Sequence, residues 1–191
     1  MAVARFRRTR VVRQRAADDA DPQVVLACAG DVMVVETLAA LSLLRRLAPT
    51  LRLRVVNVID LFTLTSPELH PHGASDDRFN DLFTAERPVV FAYHGYPRTV
   101  HELVYRHSRP ERFHVRGYIE EGTTTTPFDM LVLNRASRYH LALEALGRAE
   151  QLGYAASEDA RAFCEDALLR HARYIRAEGR DMPEITDWTW Q

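Results

Sequence analysis

Six apolar residues run without a break from Val24 to Ala29, and Gly30-Asp31 follows them with turn chemistry. A short continuous apolar run of this kind predicts a strand buried on both faces. Val35, Leu38, Leu41, Leu44 and Leu47 then recur at helical spacing, with Pro49 just past the last of them and Asp31 placed to cap the first turn. Residues 51–60, LRLRVVNVID, alternate and then turn wholly apolar, which predicts a second strand. Strand, helix, strand in this order calls for a right-handed crossover and a sheet covered on both sides, the mark of an α/β fold.

The pattern continues after a polar loop punctuated by Pro67, Pro71 and Gly73. Ser75 is placed to cap a short helix whose Phe79, Leu82 and Phe83 form an inward stripe. Pro88 introduces a third strand, VVFAY, which ends in His94-Gly95-Tyr96-Pro97. Pro97 suits the first turn of a helix carrying His101, Val104, Tyr105 and His107. A fourth strand, FHVRGYI, puts His114 and Arg116 on one face and Val115 and Gly117 on the other. Beyond a loop of four threonines, residues 132–149 predict a helix capped by Asn134, and a final helix covers roughly 157–177. Trp188 and Trp190 close the chain, and two indoles at a terminus are expected to dock on this domain or on a partner.

At 191 residues with 47% hydrophobic residues the chain suits one domain. Residues 1–21 carry six arginines without apolar periodicity and are expected to form a disordered leader, leaving 22–191 as the domain. A net charge of −1 gives no long-range field for nucleic acid or anionic lipid, so neither is expected as a partner, and any anion site must be local. All 25 basic residues are arginine, which excludes a Schiff-base lysine and a phosphate-binding P-loop. Cys28 and Cys164 fall on apolar faces without disulfide or CxxC spacing, and the expected compartment is the cytoplasm. No apolar run approaches the length of a membrane span.

The candidate chemistry gathers at the carboxyl edge of the predicted sheet, where open α/β folds present ligand-binding groups. His94, Tyr96, Arg98, Arg116 and the loop Thr123, Thr124, Thr125 and Thr126 form a candidate anion or interface site. The threonines have a second reading, because such loops also satisfy their own backbone. The Gly30-Asp31 turn lacks GxGxxG, and Asp31 would repel an anion there. His70 and His72 form an HxH pair near Asp76 but lack a third metal ligand at motif spacing. His94, His101, His107 and His114 match no compact metal motif, and GxSxG is absent. No metal site and no catalytic residue are therefore expected, and the histidines read as interface groups that bridge backbone and carboxylates.

Several long motifs, CAGDVMVVETLAALSLLR, HPHGASDDRFNDLFT, PVVFAYHGYPRTVHELVYRH, FHVRGYIEEGTTTTPFDM and DMPEITDWTW, together resemble the C-terminal domain of xylulose 5-phosphate/fructose 6-phosphate phosphoketolase. The resemblance implies a three-layer α/β/α sandwich around a mixed, mostly parallel five-stranded sheet, like that of the transketolase C-terminal domain. It also implies a thiamine diphosphate- and magnesium-dependent parent enzyme that cleaves a ketose phosphate with inorganic phosphate to acetyl phosphate and an aldose phosphate. In that family the cofactor belongs to two other domains, and a GDG segment with the thiamine-fold spacing is absent here. The chain is accordingly expected to be a noncatalytic assembly and regulatory portion, whether a truncated product, a split subunit or an excised domain. The expected partners are the thiamine-binding domains, a second copy in a homodimer, or a phosphate-bearing effector. A free-standing anion- or nucleotide-binding module is the alternative.

Overall fold

The computed structural model describes residues 9–12, 21–119, 122, 124–155 and 157–190. Five strands form one sheet in the order β1-β3-β2-β4-β5, where β1 is Thr9–Val12, β2 Val24–Ala29, β3 Leu53–Val58, β4 Val89–Tyr93 and β5 Phe113–Arg116. The last four run parallel, while β1 pairs antiparallel with β3, Thr9 opposite Val58 and Val12 opposite Val55. The mixed, mostly parallel sheet expected from the family resemblance is thus present. The Arg-rich leader needs correction at Thr9–Val12, which is an edge strand. Its residues 1–8 and 13–20 lie outside the described residues.

The continuous apolar run of β2 has its reason in the topology. It is the central strand, buried at all six positions, with β3 and β4 in register on its two sides. Val24, Leu26 and Cys28 point into one hydrophobic layer, and Val25, Ala27 and Ala29 into the other. The first layer is closed by α1 (Asp31–Leu47), α4 (Pro127–Leu133), α5 (Arg138–Glu150) and α6 (Glu158–Glu178). The second is closed by α2 (Asp76–Phe83) and α3 (Pro97–Val104), with Phe79, Phe83, Phe91 and Phe113 at its centre. Fully burying each such side chain is worth about 1.5–3 kcal/mol, so the two layers carry most of the driving force for folding.

The first layer is built for close approach. Helix α5 presents Ala142, Ala145 and Ala149, and α6 presents Ala160, Cys164 and Ala167, small side chains that let these helices pack tightly beside α1. The last helix is α7 (Pro183–Thr186), whose Ile185 joins this core, and Trp190 packs against it too. The tryptophan tail therefore docks on its own domain, with Arg138 over the Trp188 ring and Arg45 over that of Trp190.

Several local expectations change. The N-cap of α1 is Gly30, which makes no side-chain cap; Asp31 is the first helical residue. The single helix expected after the threonines is two, because Arg135 takes a left-handed φ of 52° and stops α4. Ala136 N–H donates to Leu131 O and Arg135 N–H to Val132 O, the paired bonds of a Schellman end. Asn134 is the C-cap of α4, not the N-cap of a longer helix. Its Nδ2 donates to Met130 O, and its Oδ1 accepts from the Ile119 amide at 2.7 Å. The strand expected through Ile119 stops at Arg116, and α3 stops at Val104, short of His107.

Candidate functional site

The connections that follow β2 and β4 leave in opposite senses, through α1 to β3 and through α3 to β5, so the doubly wound sheet opens a crevice at the carboxyl ends of these two neighbouring strands. Ala29 and Tyr93 stand side by side there, and His94 N–H donates to Ala29 O at 3.2 Å. Gly30 has a φ of 98°, and a Cβ added to it would sit 3.0 Å from His94 Cβ. The positive φ favours glycine, and the tight contact with His94 adds to that preference. A second close approach locks the HGYP turn to the end of β5, since a Cβ on Gly117 would lie 2.4 Å from Gly95 O and 2.5 Å from Pro97 Cδ. The gap left by that missing side chain lets Tyr118 N–H donate to Gly95 O at 2.9 Å and the Tyr118 ring meet His94 edge-on at 5.5 Å.

These contacts bring His94, Tyr96 and the Gly117-Tyr118 segment together at one edge. Tyr96 keeps 58% of its surface exposed, and Ile119 is exposed beside Tyr118. The other expected members go elsewhere. Arg98, on the exposed side of α3, pairs with Glu102 at 2.6 Å. Arg116 points to the opposite face of the sheet and pairs with Glu144 of α5. The hydroxyl of Thr125 donates to Asp129, while that of Thr126 donates to Asp181 and accepts from the Asp129 amide. Thr124 is exposed, and Thr123 lies outside the described residues. Thr125 and Thr126 thus anchor the start of α4 through the carboxylates of Asp129 and Asp181, and Asp181 Oδ2 completes the cap by accepting from Phe128 N–H at 3.1 Å.

The remaining histidines divide between structural pairs and open surface. His107 is buried, stacked on Phe79 at 3.7 Å, and bonded to Asp76 at 2.8 Å. That bond removes Asp76 from the neighbourhood of the HxH pair, whose His72 is held instead by Asp60 at 2.8 Å. His101 is exposed, and His114 is half-buried with its pKa lowered by burial and by Arg148. Among the described residues no three histidine, cysteine or acidic side chains converge to hold a metal ion. Burial pushes the Cys28 thiol up to about 12 and that of Cys164 up to about 11, so neither is a thiolate nucleophile at neutral pH.

Two constellations escape sequence reasoning. One is a fully buried ion pair between Glu36 and Arg138. The other is a cavity of about 320 Å³ between β5 and α5, lined by Arg116, Arg135, His140, Glu144, Gly147 and Arg148 among others. A signal for the second was available: His140, Glu144 and Arg148 recur at four-residue spacing and must share one helix face. Burial, aided by Arg135 and Arg116, pushes the pKa of His140 down to about 4. Burial alone would raise that of Glu144, but hydrogen bonds from Arg116 and Arg148 lower it overall.

The architecture and the switch-point edge define a doubly wound α/β domain of the transketolase C-terminal kind. Solved transketolases from Leishmania mexicana and Pichia stipitis superimpose on it with a TM-score of 0.52 each, at 15% and 12% identity over 80% and 75% of this chain, and 20% and 18% of theirs. This likeness defines the fold alone. The XFP C-terminal domain family matches residues 9–190, and the chain belongs to that family. It is 55% identical over 170 residues to a probable phosphoketolase of Bradyrhizobium diazoefficiens, covering 89% of this chain and 21% of that protein. It is 51% identical over 175 residues to a probable phosphoketolase of Chlorobaculum tepidum, covering 92% and 22%. The chain therefore spans about a fifth of the length of these relatives. No helix among the described residues is long and apolar enough to cross a membrane.

Proposed function

We propose that this chain is the assembly and regulatory domain of a phosphoketolase, acting beside the domains that cleave xylulose 5-phosphate or fructose 6-phosphate with phosphate. The observation that carries the reading is the family match across residues 9–190, together with relatives named probable phosphoketolases of about five times the matched length. In this role the edge formed by His94, Tyr96 and Tyr118 is the surface that meets a neighbouring domain. Its close-packed glycines hold the HGYP turn in one shape, and exposed Tyr96 and Ile119 supply apolar contact area flanked by polar groups. Arg98, exposed over 86% of its side chain, is placed for a rim contact.

Thiamine diphosphate and magnesium, implied by the family for the complete enzyme, do not fit the described residues of this chain. A magnesium-bound diphosphate needs converging oxygen ligands. Here Glu36, the buried acid of α1, is committed to Arg138, and Asp31 stands exposed without a partner donor set. In this reading the reaction belongs to other domains, for the relatives are about five times the matched length. Incubating the 191-residue chain with thiamine diphosphate, magnesium, phosphate and fructose 6-phosphate tests this: acetyl phosphate should stay at the background level, and robust turnover would overturn the noncatalytic reading.

A further inference from the structure

The cavity between β5 and α5 is separate from the strand edge and shares only Arg116 with the candidate site. Three guanidinium-bearing residues, Arg116, Arg135 and Arg148, line it against one carboxylate, Glu144. Glu144 binds two of them: its Oε2 accepts from Arg116 Nη2, and its Oε1 accepts from Arg148 Nε at 2.8 Å and Nη2 at 2.6 Å. An excess of two positive charges remains, and Arg135 has no hydrogen-bond or ion-pair partner for its guanidinium among the described residues.

Two residues here are poor choices for stability alone. Arg135 occupies the left-handed position of the Schellman end, at φ 52°, where glycine avoids the steric penalty of a side chain. Gly147 sits inside α5, where glycine is the weakest ordinary helix former, yet a Cβ on it would meet nothing within 4 Å. An arginine stands where the backbone favours glycine, and a glycine stands where the helix favours almost anything else. Both line the cavity, and together they add charge to it and keep it open.

We propose that this cavity binds a small phosphomonoester through Arg116, Arg135 and Arg148. A phosphomonoester carries about −1.5 to −2 charges at neutral pH, which matches the positive excess, and its oxygens suit the planar fork of arginine. The volume of about 320 Å³ leaves room for an organic remainder beyond the phosphate, alongside Leu143 and Gln151. The proposal goes beyond the assembly role and does not rest on it, because binding is read on this chain without turnover.

Isothermal titration calorimetry of the full 191-residue chain with glycerol 3-phosphate and with inorganic phosphate tests it. Saturable binding of glycerol 3-phosphate, at least as tight as that of inorganic phosphate, is expected. Arg135→Gly should weaken it by about tenfold, the usual effect of losing a charge-assisted contact. Gly147→Leu should weaken it as well by filling the cavity. Both variants should keep or raise the thermal midpoint, which separates loss of the site from loss of the fold. No saturation at millimolar ligand, or unchanged affinity in both variants, would overturn the site. Tighter binding of inorganic phosphate than of glycerol 3-phosphate would overturn the monoester assignment.

Discussion

Arg138, the first residue of α5, gives all its principal bonds to Glu36 in the middle of α1. Its backbone N–H and Nε donate to Glu36 Oε2 at 2.7 and 3.1 Å, and its Nη2 donates to Oε1 at 2.7 Å. Both residues are about 95% buried, and the guanidinium also lies over Phe128 and Trp188. Glu36 therefore acts as ion partner and as cap, for Ser137 makes no side-chain cap to this helix. One contact ties α1, α4, α5 and the tail together.

Breaking this pair from one side should be costly, because the surviving charge is left buried. Glu36→Ala and Arg138→Ala are each expected to lose about 3–5 kcal/mol. The double variant Glu36→Leu/Arg138→Met should lose much less than the sum of the single losses. Urea denaturation of the four proteins measures the coupling, and additive losses would show that the pair is not the unit described.

The glycine contact behind the HGYP turn makes a sharper local prediction. Gly117→Ala places a methyl group against Gly95 O and Pro97 Cδ at distances no packed atoms tolerate. Overpacking of this kind costs about 1–3 kcal/mol, and here it should also separate Tyr118 from His94. Denaturation midpoints and amide shifts of Gly95 and Tyr118 measure both effects. A neutral Gly117→Ala with unchanged shifts would contradict the close approach.

His140 sets a pH dependence with a definite sign. Its ordinary value of 6.5 is pushed down to about 4 in the folded chain, first by burial and then by Arg135 and Arg116. Between these values the unfolded chain takes up a proton that the folded chain refuses, so stability falls as the pH drops from about 6.5 towards about 4 and is intact above that window. His114 acts in the same direction. His140→Gln should flatten the stability profile across this range. The imidazole carbon shifts should place the His140 midpoint near 4, and a midpoint at or above 6.5 would contradict the assignment.

Asp181 fastens the threonine loop from the far end of the chain. Its carboxylate accepts from the Thr126 hydroxyl and the Phe128 amide. Asp181→Ala leaves these donors without their partner and should cost about 1–3 kcal/mol. Faster hydrogen exchange at Phe128 should accompany that loss, while an unchanged exchange rate would point to a different anchor.

The parts of the fold set by local pattern could be read from the sequence, and the parts set by pairing at a distance could not. The central strand shows as VVLACA because both its faces are covered, and Ser75 is the cap that its position implied. The edge strand Thr9–Val12 is hidden in an arginine-rich segment, since only its partner β3 makes it a strand. The Glu36–Arg138 pair joins positions 102 residues apart, and no periodicity reports which acid on a helix will meet which base. At the candidate site, His94 and Tyr96 were legible because a strand end fixes where they stand. Arg98 and Arg116 stand near them in sequence, but the alternation of β5 sends Arg116 to the far face of the sheet. The threonines of the loop were visible as polar groups, whereas Asp129 and Asp181, which use two of their hydroxyls, came from outside it.

The assembly role is tested most directly by exchange. In the probable phosphoketolase of Bradyrhizobium diazoefficiens, the matching 170-residue segment is replaced by this chain, and acetyl phosphate formation from fructose 6-phosphate is measured against the isolated chain and against the relative with the segment removed. The exchanged protein is expected to form acetyl phosphate while the isolated chain and the shortened relative do not. Turnover by the isolated chain, or an exchanged protein that folds and assembles no better than the shortened one, would contradict it.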